Sequence, residues 1–419
     1  MIFENSIIKG YWWLPNNENP KVPGILKVYP NSIILELFGS FKTIKDFGLK
    51  NYEIILGQDI DGNDITLFQT NEISDFEPFF KGTNLSVRYV FVGKHFKQKG
   101  DIIFSSVSIN YTYLEDWLSQ KPLLDKVKYK EGYKLENYLI SYTPPENYEV
   151  KIKSINSILQ ITYIWEKVNA TIRNVNFQYS SKFILTSEQP KNFSWYKKHI
   201  NILKKILILV IGYPIEKKGY KAYGNEKFDE EIIIYERSSL KPKIRDNIQS
   251  DYMLFSFPQL ESEFEYIVNT WFDLSSKFEN VFKLFFETFY ESVIKPNIYF
   301  LSLYLSLEGF IKQKFNINKD IKYKIDELLN NKPFDKIFGD YIIDKEIFSK
   351  KVEVTRNFLV HSNKKSKYVV ESPIELFDLS ERIRLILTVY LFHELKISIE
   401  DINSALGRHQ KFKRLKQCK

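Results

Sequence analysis

The chain carries five histidines, His95, His199, His361, His393 and His409, and a single cysteine, Cys418. Histidine is the side chain whose ordinary pKa suits proton transfer near neutral pH, so five of them make the search short. No HExxH pair, GxSxG elbow, GxxxxGK(S/T) loop or GxGxxG fingerprint occurs, and no His, Asp and Glu lie together at metal-ligand spacing. What remains is Arg356-Asn357-Phe358-Leu359-Val360-His361, an Arg-x4-His segment. A neutral imidazole can take the proton of a ribose 2′-hydroxyl, and a protonated one can supply the leaving 5′-oxygen. A guanidinium can grip the phosphate through two N–H groups and stabilise the charge that builds there. The set suits cleavage of an RNA phosphodiester without a metal ion. One segment supplies one histidine where acid and base roles want two, so a homodimer presenting two copies would complete it.

The element that must position these residues is a helix predicted over 344–361. At about 100° per residue from Phe348, Val352 and Leu359 fall within about 40° of it, and Val354, Ile347 and Phe358 fall at about 240–280°. This apolar arc is expected to face a helical core. Arg356 at about 80°, Asn357 at about 180° and His361 at about 220° lie on the complementary arc. Asn357 and His361 are four residues apart, so the amide is placed to hydrogen-bond the imidazole and set its tautomer. The surroundings are basic: residues 345–370 hold seven Lys or Arg against two acids, and 400–419 hold six against two. Lys364, Lys365 and Lys367 follow the histidine and are expected to contact an RNA backbone. Arg88 and His95 form a looser Arg-x6-His match, but in a strand-like run without a helical setting.

Around this helix the chain divides by texture. Up to about residue 190, short Val-, Ile-, Tyr- and Phe-rich runs alternate with turn signals, among them Pro30-Asn31 and Asp61-Gly62-Asn63. No strand-helix-strand alternation occurs, so an antiparallel, sandwich-like sheet is expected rather than a parallel one. A helix over 194–210 and strands near 214–222 and 231–237 complete this region. After Pro258 the apolar spacing is helical, predicting helices near 258–291, 297–315, 319–330, 344–361, 373–396 and 399–406. Pro296 and Pro373 sit at first-turn positions. The expected division is a β-rich domain over 1–240, a linker over 241–257, an all-α domain over 258–406 and a basic tail over 407–419.

The 419 residues are 44% hydrophobic and 27% charged, enough for large cores and too apolar for a disordered chain. The longest purely apolar run, Ile206 to Ile211, is far short of the ~20 residues a membrane helix needs. No basic, then apolar leader opens the sequence. One cysteine rules out an intramolecular disulfide or a Cys-cluster zinc site. These features predict a soluble, cytoplasmic protein that needs no cofactor or metal. The net charge of +8 suits contact with nucleic acid.

Arg356-Asn357-x3-His361, late in an all-α domain, resembles the Arg-x4–6-His signature of HEPN ribonucleases. The wider layout is similar to the ApeA-type HEPN proteins of bacterial anti-phage defence, which carry a β-rich N-terminal domain. Gly10-Tyr11-Trp12-Trp13-Leu14-Pro15, Phe91-Val92-Gly93-Lys94-His95-Phe96 and Leu114-Glu115-Asp116-Trp117 carry that likeness, and Phe300 to Glu308 resembles the first core helix of the HEPN group. The resemblance implies an α+β multidomain protein, a β-rich domain followed by a HEPN helical bundle. It implies a metal-independent RNA endonuclease whose site forms across a homodimer or higher homo-oligomer, leaving 2′,3′-cyclic phosphate and 5′-hydroxyl ends on transfer RNA or messenger RNA. It also implies a role in abortive infection, with a phage-derived trigger sensed by the β-rich domain and no membrane partner. Arg356 and His361 inherit the catalytic roles and Asn357 the polar position beside them. Glu308 is placed either to pair with Arg356 or orient His361, or to pair within its helix with Lys312. Tyr11, Trp12 and Trp13 either stack on a ligand or fill the β core. The alternatives are a catalytically silent HEPN module that binds RNA or a protein, and a β-domain binding protein whose helical half only dimerises.

Overall fold

The computed structural model describes residues 6–42, 48–73, 82–170, 175–224, 230–238, 248–290, 295–315, 321–362 and 366–417. The chain forms two compact units: 1–114, 121–200 and 216–241 make one, and 115–120, 201–215 and 242–419 make the other.

The first unit holds β1 (Ser6–Leu14), β2 (Asn17–Tyr29), β3 (Ser32–Leu37), β4 (Asn51–Asp59), β5 (Asp64–Ile73), β6 (Thr83–Val92) and β7 (Ile103–Tyr111). It continues with β8 (Leu123–Tyr129), β9 (Leu135–Tyr142), β10 (Tyr148–Ile152), β11 (Ser157–Ala170), β12 (Val175–Asn192), β13 (Lys217–Tyr223) and β14 (Glu231–Glu236). Every pairing among the described strands is antiparallel. The Pro30-Asn31 and Asp61-Gly62-Asn63 turns fall where the residue types require them. In the second, Asp59 Oδ1 accepts from the backbone N–H of Asp61 at 3.0 Å and of Asn63 at 2.8 Å.

Within this sheet six strands close on themselves in the order β1-β2-β3-β6-β5-β4, because β6 pairs with both β3 and β5 and β4 pairs back onto β1. The barrel is filled by the inward residues of each strand, among them Trp12, Leu26, Leu35, Ile55, Leu67 and Val87. β6 is shared: the edge that pairs with β3 over Thr83–Ser86 pairs with β14 over Tyr89–Val92, and the sheet runs on through β13, β7, β12 and β11 to β10. Trp12 and Trp13 are both buried, which settles them as core, while Tyr11 is exposed. The close approach of Trp12 to β4 is possible because Gly57 has no side chain; a Cβ there would meet Trp12 Cε3 at 2.2 Å.

The second unit contains α1 (Leu114–Leu118) from Glu115 on and α2 (Phe193–Ile211) from Asn201 on. Its helices continue as α3 (Phe257–Leu260), α4 (Phe264–Lys277), α5 (Glu279–Glu287), α6 (Pro296–Phe315) and α7 (Ile321–Leu329). They end with α8 (Asp335–Tyr341), α9 (Lys345–His361), α10 (Pro373–Glu394), α11 (Ile399–Arg408) and α12 (Gln410–Gln417). Pro296 and Pro373 open α6 and α10. The single helix expected over 258–291 is three: a tight turn over Glu261–Glu263 separates α3 from α4, and α4 and α5 part at Phe278, which leaves helical geometry (φ −111°, ψ 33°) and packs its ring near Phe282 and Phe310. The domain limits also differ from those expected. Residues 248–257 are not an open linker: Met253, Leu254 and Phe255 are buried, and the Phe255 N–H donates to the Val210 carbonyl at 2.8 Å. The expected tail over 407–419 contains the end of α11 and all of α12, whose Phe412 and Leu415 are buried. Among the described residues no helix is long and apolar enough to cross a membrane.

Gly57→Ala is expected to destabilise the β-rich unit by about 1–3 kcal/mol through overpacking. A denaturant titration followed by tryptophan fluorescence reads both the loss and the displacement of Trp12.

Candidate active site

α9 begins at Asp344, whose Oδ1 accepts from the Ile347 N–H at 2.8 Å, a side-chain cap of a free helix end. It stops at Ser362, which takes the left-handed conformation (φ 51°, ψ 34°) and donates its N–H to the Phe358 carbonyl at 3.0 Å. His361 is therefore the last helical residue, and its side chain is exposed. The returning chain is tied to the helix by the Val370 N–H, which donates to buried Thr355 Oγ1 at 3.0 Å.

The buried face of α9 is narrower than its apolar pattern predicts. Phe348, Ser349, Val352 and Thr355 are buried; Val354 and Phe358 are only half-buried and Ile347 is exposed. On the wheel Arg356, at about 80°, lies between Val352 at about 40° and Ser349 at about 100°. It thus stands at the margin of the core and not on the polar arc. Its guanidinium carbon lies 5.6 Å from the ring centroid of Tyr304, a buried residue of α6. Its Nε is buried and makes no hydrogen bond to a described residue. The guanidinium is thereby held over an aromatic ring on a half-buried residue.

Its Nη1 joins the three predicted residues. Arg356 Nη1 donates to Asn357 Oδ1 at 2.9 Å and lies 3.0 Å from His361 Nε2. The expected amide–imidazole bond is not the one formed: Asn357 holds the arginine, and the arginine contacts the histidine. An arginine has no lone pair to offer, so at this contact His361 Nε2 accepts and the ring proton sits on Nδ1. The basic lone pair of the imidazole thus points at the group best suited to carry a phosphate. Lys367 is exposed and follows close behind; Lys364 and Lys365 lie outside the described residues.

Glu308 is not part of this cluster. It accepts from Lys312 Nζ at 2.9 Å, the intrahelical pair, and makes no described bond to Arg356 or His361. Arg88 and His95 are likewise apart: Arg88 Nε donates to Tyr89 OH at 3.2 Å, and His95 Nε2 is 2.8 Å from the Gly57 carbonyl. His199 Nδ1 donates to the Trp195 carbonyl at 2.8 Å, and burial lowers its pKa. Among the described residues no three His, Cys, Asp or Glu side chains gather as a metal site requires.

Sequence reasoning missed the support beneath the site. Arg384 of α10 is buried, with Nε donating to Glu381 Oε1 at 3.2 Å and Nη2 to Thr288 Oγ1 at 3.0 Å. Tyr299 of α6 donates to Glu381 and accepts from Arg384, and the guanidinium lies 4.3 Å from the Phe289 ring centroid. Burial alone would raise the Glu381 carboxyl, but Arg384, Lys411 and the Tyr299 bond outweigh it and hold it below the usual carboxylate range. This network clamps α6 to α10, and α6 carries Tyr304 under Arg356. In the sequence only Glu381 and Arg384, three residues apart, signal it, in a helix that also carries Glu375, Asp378, Arg382 and Glu394.

An all-antiparallel β unit and a helical unit, in which an Arg-Asn-His cluster closes one helix, make a two-domain protein whose family the comparisons identify. The ApeA N-terminal domain 1 family matches residues 7–271, more than half of the chain, and the Apea-like HEPN family matches 301–401. The chain therefore belongs to the ApeA family of HEPN proteins, a defence-related, nuclease-like family whose HEPN domains commonly dimerise. The first match runs on into α4, and the second begins in α6 and ends in α11. No curated protein and no solved structure matches the chain.

Arg384→Met is expected to cost about 3–5 kcal/mol, because Glu381 is left buried without its cation, and Arg384→Met with Glu381→Leu to recover most of it. The folded Glu381 pKa is lowered, so its contribution is present above the ordinary carboxylate range and lost as pH falls through the folded value. Glu381→Gln should flatten the acid limb of stability against pH, measured by denaturant unfolding between pH 3 and 7 (about the range that brackets carboxylate titration).

Proposed function

We propose that this protein is a metal-independent RNA endonuclease of anti-phage defence, with Arg356 and His361 as catalytic residues and Asn357 as the residue that positions Arg356. The observation that carries the reading is the shared guanidinium nitrogen, 2.9 Å from Asn357 Oδ1 and 3.0 Å from His361 Nε2 at an exposed helix end. A phosphate taking the outer edge of Arg356 comes to lie beside the imidazole. His361 removes the 2′-hydroxyl proton, the 2′-oxygen attacks phosphorus, and the 5′-oxygen leaves with a proton from a second acid. His361 of a second copy supplies that acid in a homodimer. The products are a 2′,3′-cyclic phosphate and a 5′-hydroxyl. Arg356 stabilises the charge that develops on the phosphoryl oxygens. Transfer RNA or messenger RNA is the substrate, cleavage halts the infected cell, and the β-rich unit senses infection or restrains the nuclease. Lys364, Lys365 and Lys367 contact the RNA backbone.

Total RNA and transfer RNA incubated with the protein in EDTA should be cleaved to cyclic-phosphate ends. His361→Ala and Arg356→Ala should each lose at least about 100-fold in rate. Equal rates in all three would place the activity elsewhere. RNA binding without cleavage, and expression that is no more toxic than that of His361→Ala, would make the domain a silent binding module. The cleavage rate should fall on both sides of an optimum pH, and a flat profile from about pH 5 to 9 would rule out an acid–base histidine pair.

A further inference from the structure

Beyond the Arg-Asn-His cluster, α9 carries a second group of side chains on the same side. At about 100° per residue, Lys350 falls at about 200°, between Asn357 at about 180° and His361 at about 220°. Lys350, Asn357 and His361 thus form one row, whose ends are about 16 Å apart at about 1.5 Å per residue. Lys350 Nζ lies 4.4 Å from the ring centroid of Tyr368, and Lys367 Nζ lies 5.2 Å from the same ring. Tyr368 is half-buried and both lysines retain contact with solvent. Its segment is anchored: the Val370 N–H donates to Thr355 Oγ1 and the Val369 N–H to the Ser366 carbonyl at 3.0 Å. It crosses α9 from Thr355, at about 340°, to Lys350. The acids of the helix, Glu346 and Glu353, fall at about 140–160°, on the opposite side of the row from Tyr368.

An aromatic ring held beside a helix, with two ammonium groups near it, suits single-stranded nucleic acid. A base takes the ring face and the displaced lysines turn to its phosphates. We infer that Tyr368, with Lys350 and Lys367, forms a base-stacking subsite that holds an unpaired nucleotide of the RNA beside the phosphate to be cleaved. This rests on the reading of the site as an RNA endonuclease and specifies it: the strand is single where it is cut, and it runs along α9 towards Lys350. The row has room for about two or three phosphates of an extended strand, so the stacked base lies a nucleotide or two from the scissile bond.

The test uses the full chain and a short 2′-O-methyl oligoadenylate, which has no 2′-hydroxyl to attack and so reports binding alone. An abasic oligomer of the same length serves as its partner, and both are followed by fluorescence anisotropy. Tyr368→Ala should weaken oligoadenylate binding about 5- to 150-fold and abolish the preference over the abasic strand, leaving the salt dependence unchanged. Tyr368→Phe should bind as the wild type does. Lys350→Gln should weaken both strands alike and reduce the slope of log affinity against log salt by about 0.7. Wild-type affinity in Tyr368→Ala overturns the subsite, as does a Tyr368→Phe protein as weak as Tyr368→Ala; cleavage of total RNA by the wild type then leaves the nuclease reading intact. A wild type that neither cleaves total RNA nor binds either oligomer overturns both.

Discussion

A guanidinium carries one charge and five donors, and the end of α9 is arranged around the cost of removing only some of them from water. Arg356 sits at the margin of the core, its Nε buried against Tyr304 and its Nη1 shared between Asn357 and His361. Complete burial would demand a carboxylate partner, and Glu308, one carboxylate considered for that role, is taken by Lys312. Full exposure would leave a long side chain free to rotate and lose the geometry on entropic grounds. Half-burial on an aromatic ring avoids both. It leaves the guanidinium without an ion pair to a described carboxylate, which is the state an anionic substrate can use.

That compromise holds only if α6 stays in place under α9. α6 is fixed from its other side by the Tyr299–Glu381–Arg384 network, a set of buried polar groups in an otherwise apolar interface. A hydrophobic contact tolerates sliding, whereas buried hydrogen bonds between charged groups specify one register. The left-handed Ser362 and the Thr355–Val370 bond do the corresponding work at the helix end, turning the chain back so that Tyr368 lies alongside α9. Positioning at this site is therefore inherited from groups that never approach it.

In the β-rich unit the comparable constraint is β6. One strand serves both as a wall of a closed six-stranded barrel and as the strand from which the remaining sheet grows, because one edge pairs with β5 along its length while the other pairs with β3 over Thr83–Ser86 and with β14 over Tyr89–Val92. The alternation of apolar and polar residues, as in Ser32–Leu37, locates such strands but says nothing of which edges meet. Closure and branching depend on pairings between residues far apart in the chain. The break at Phe278 and the burial of Met253 to Phe255 were hidden for the same reason: aromatic packing overrides a continuous helical pattern, and a polar stretch can end in core residues.

What the sequence determined by itself is local. Turn residues, apolar periodicity, the prolines that open α6 and α10, and the spacing of Arg356, Asn357 and His361 all act within a few residues. They place the hairpins, the helices and the cluster at the end of one helix. The tertiary structure decided which of the three side chains touches which. A wheel assigns Arg356 to the polar arc, but the width of the buried face depends on the size and position of the neighbouring helix, and Tyr304 brought the arginine inward. From there its Nη1 reaches His361, and the amide next to it became the arginine's partner instead of the histidine's. Contacts of this kind are set by where separate elements pack, and no periodicity within one element encodes them.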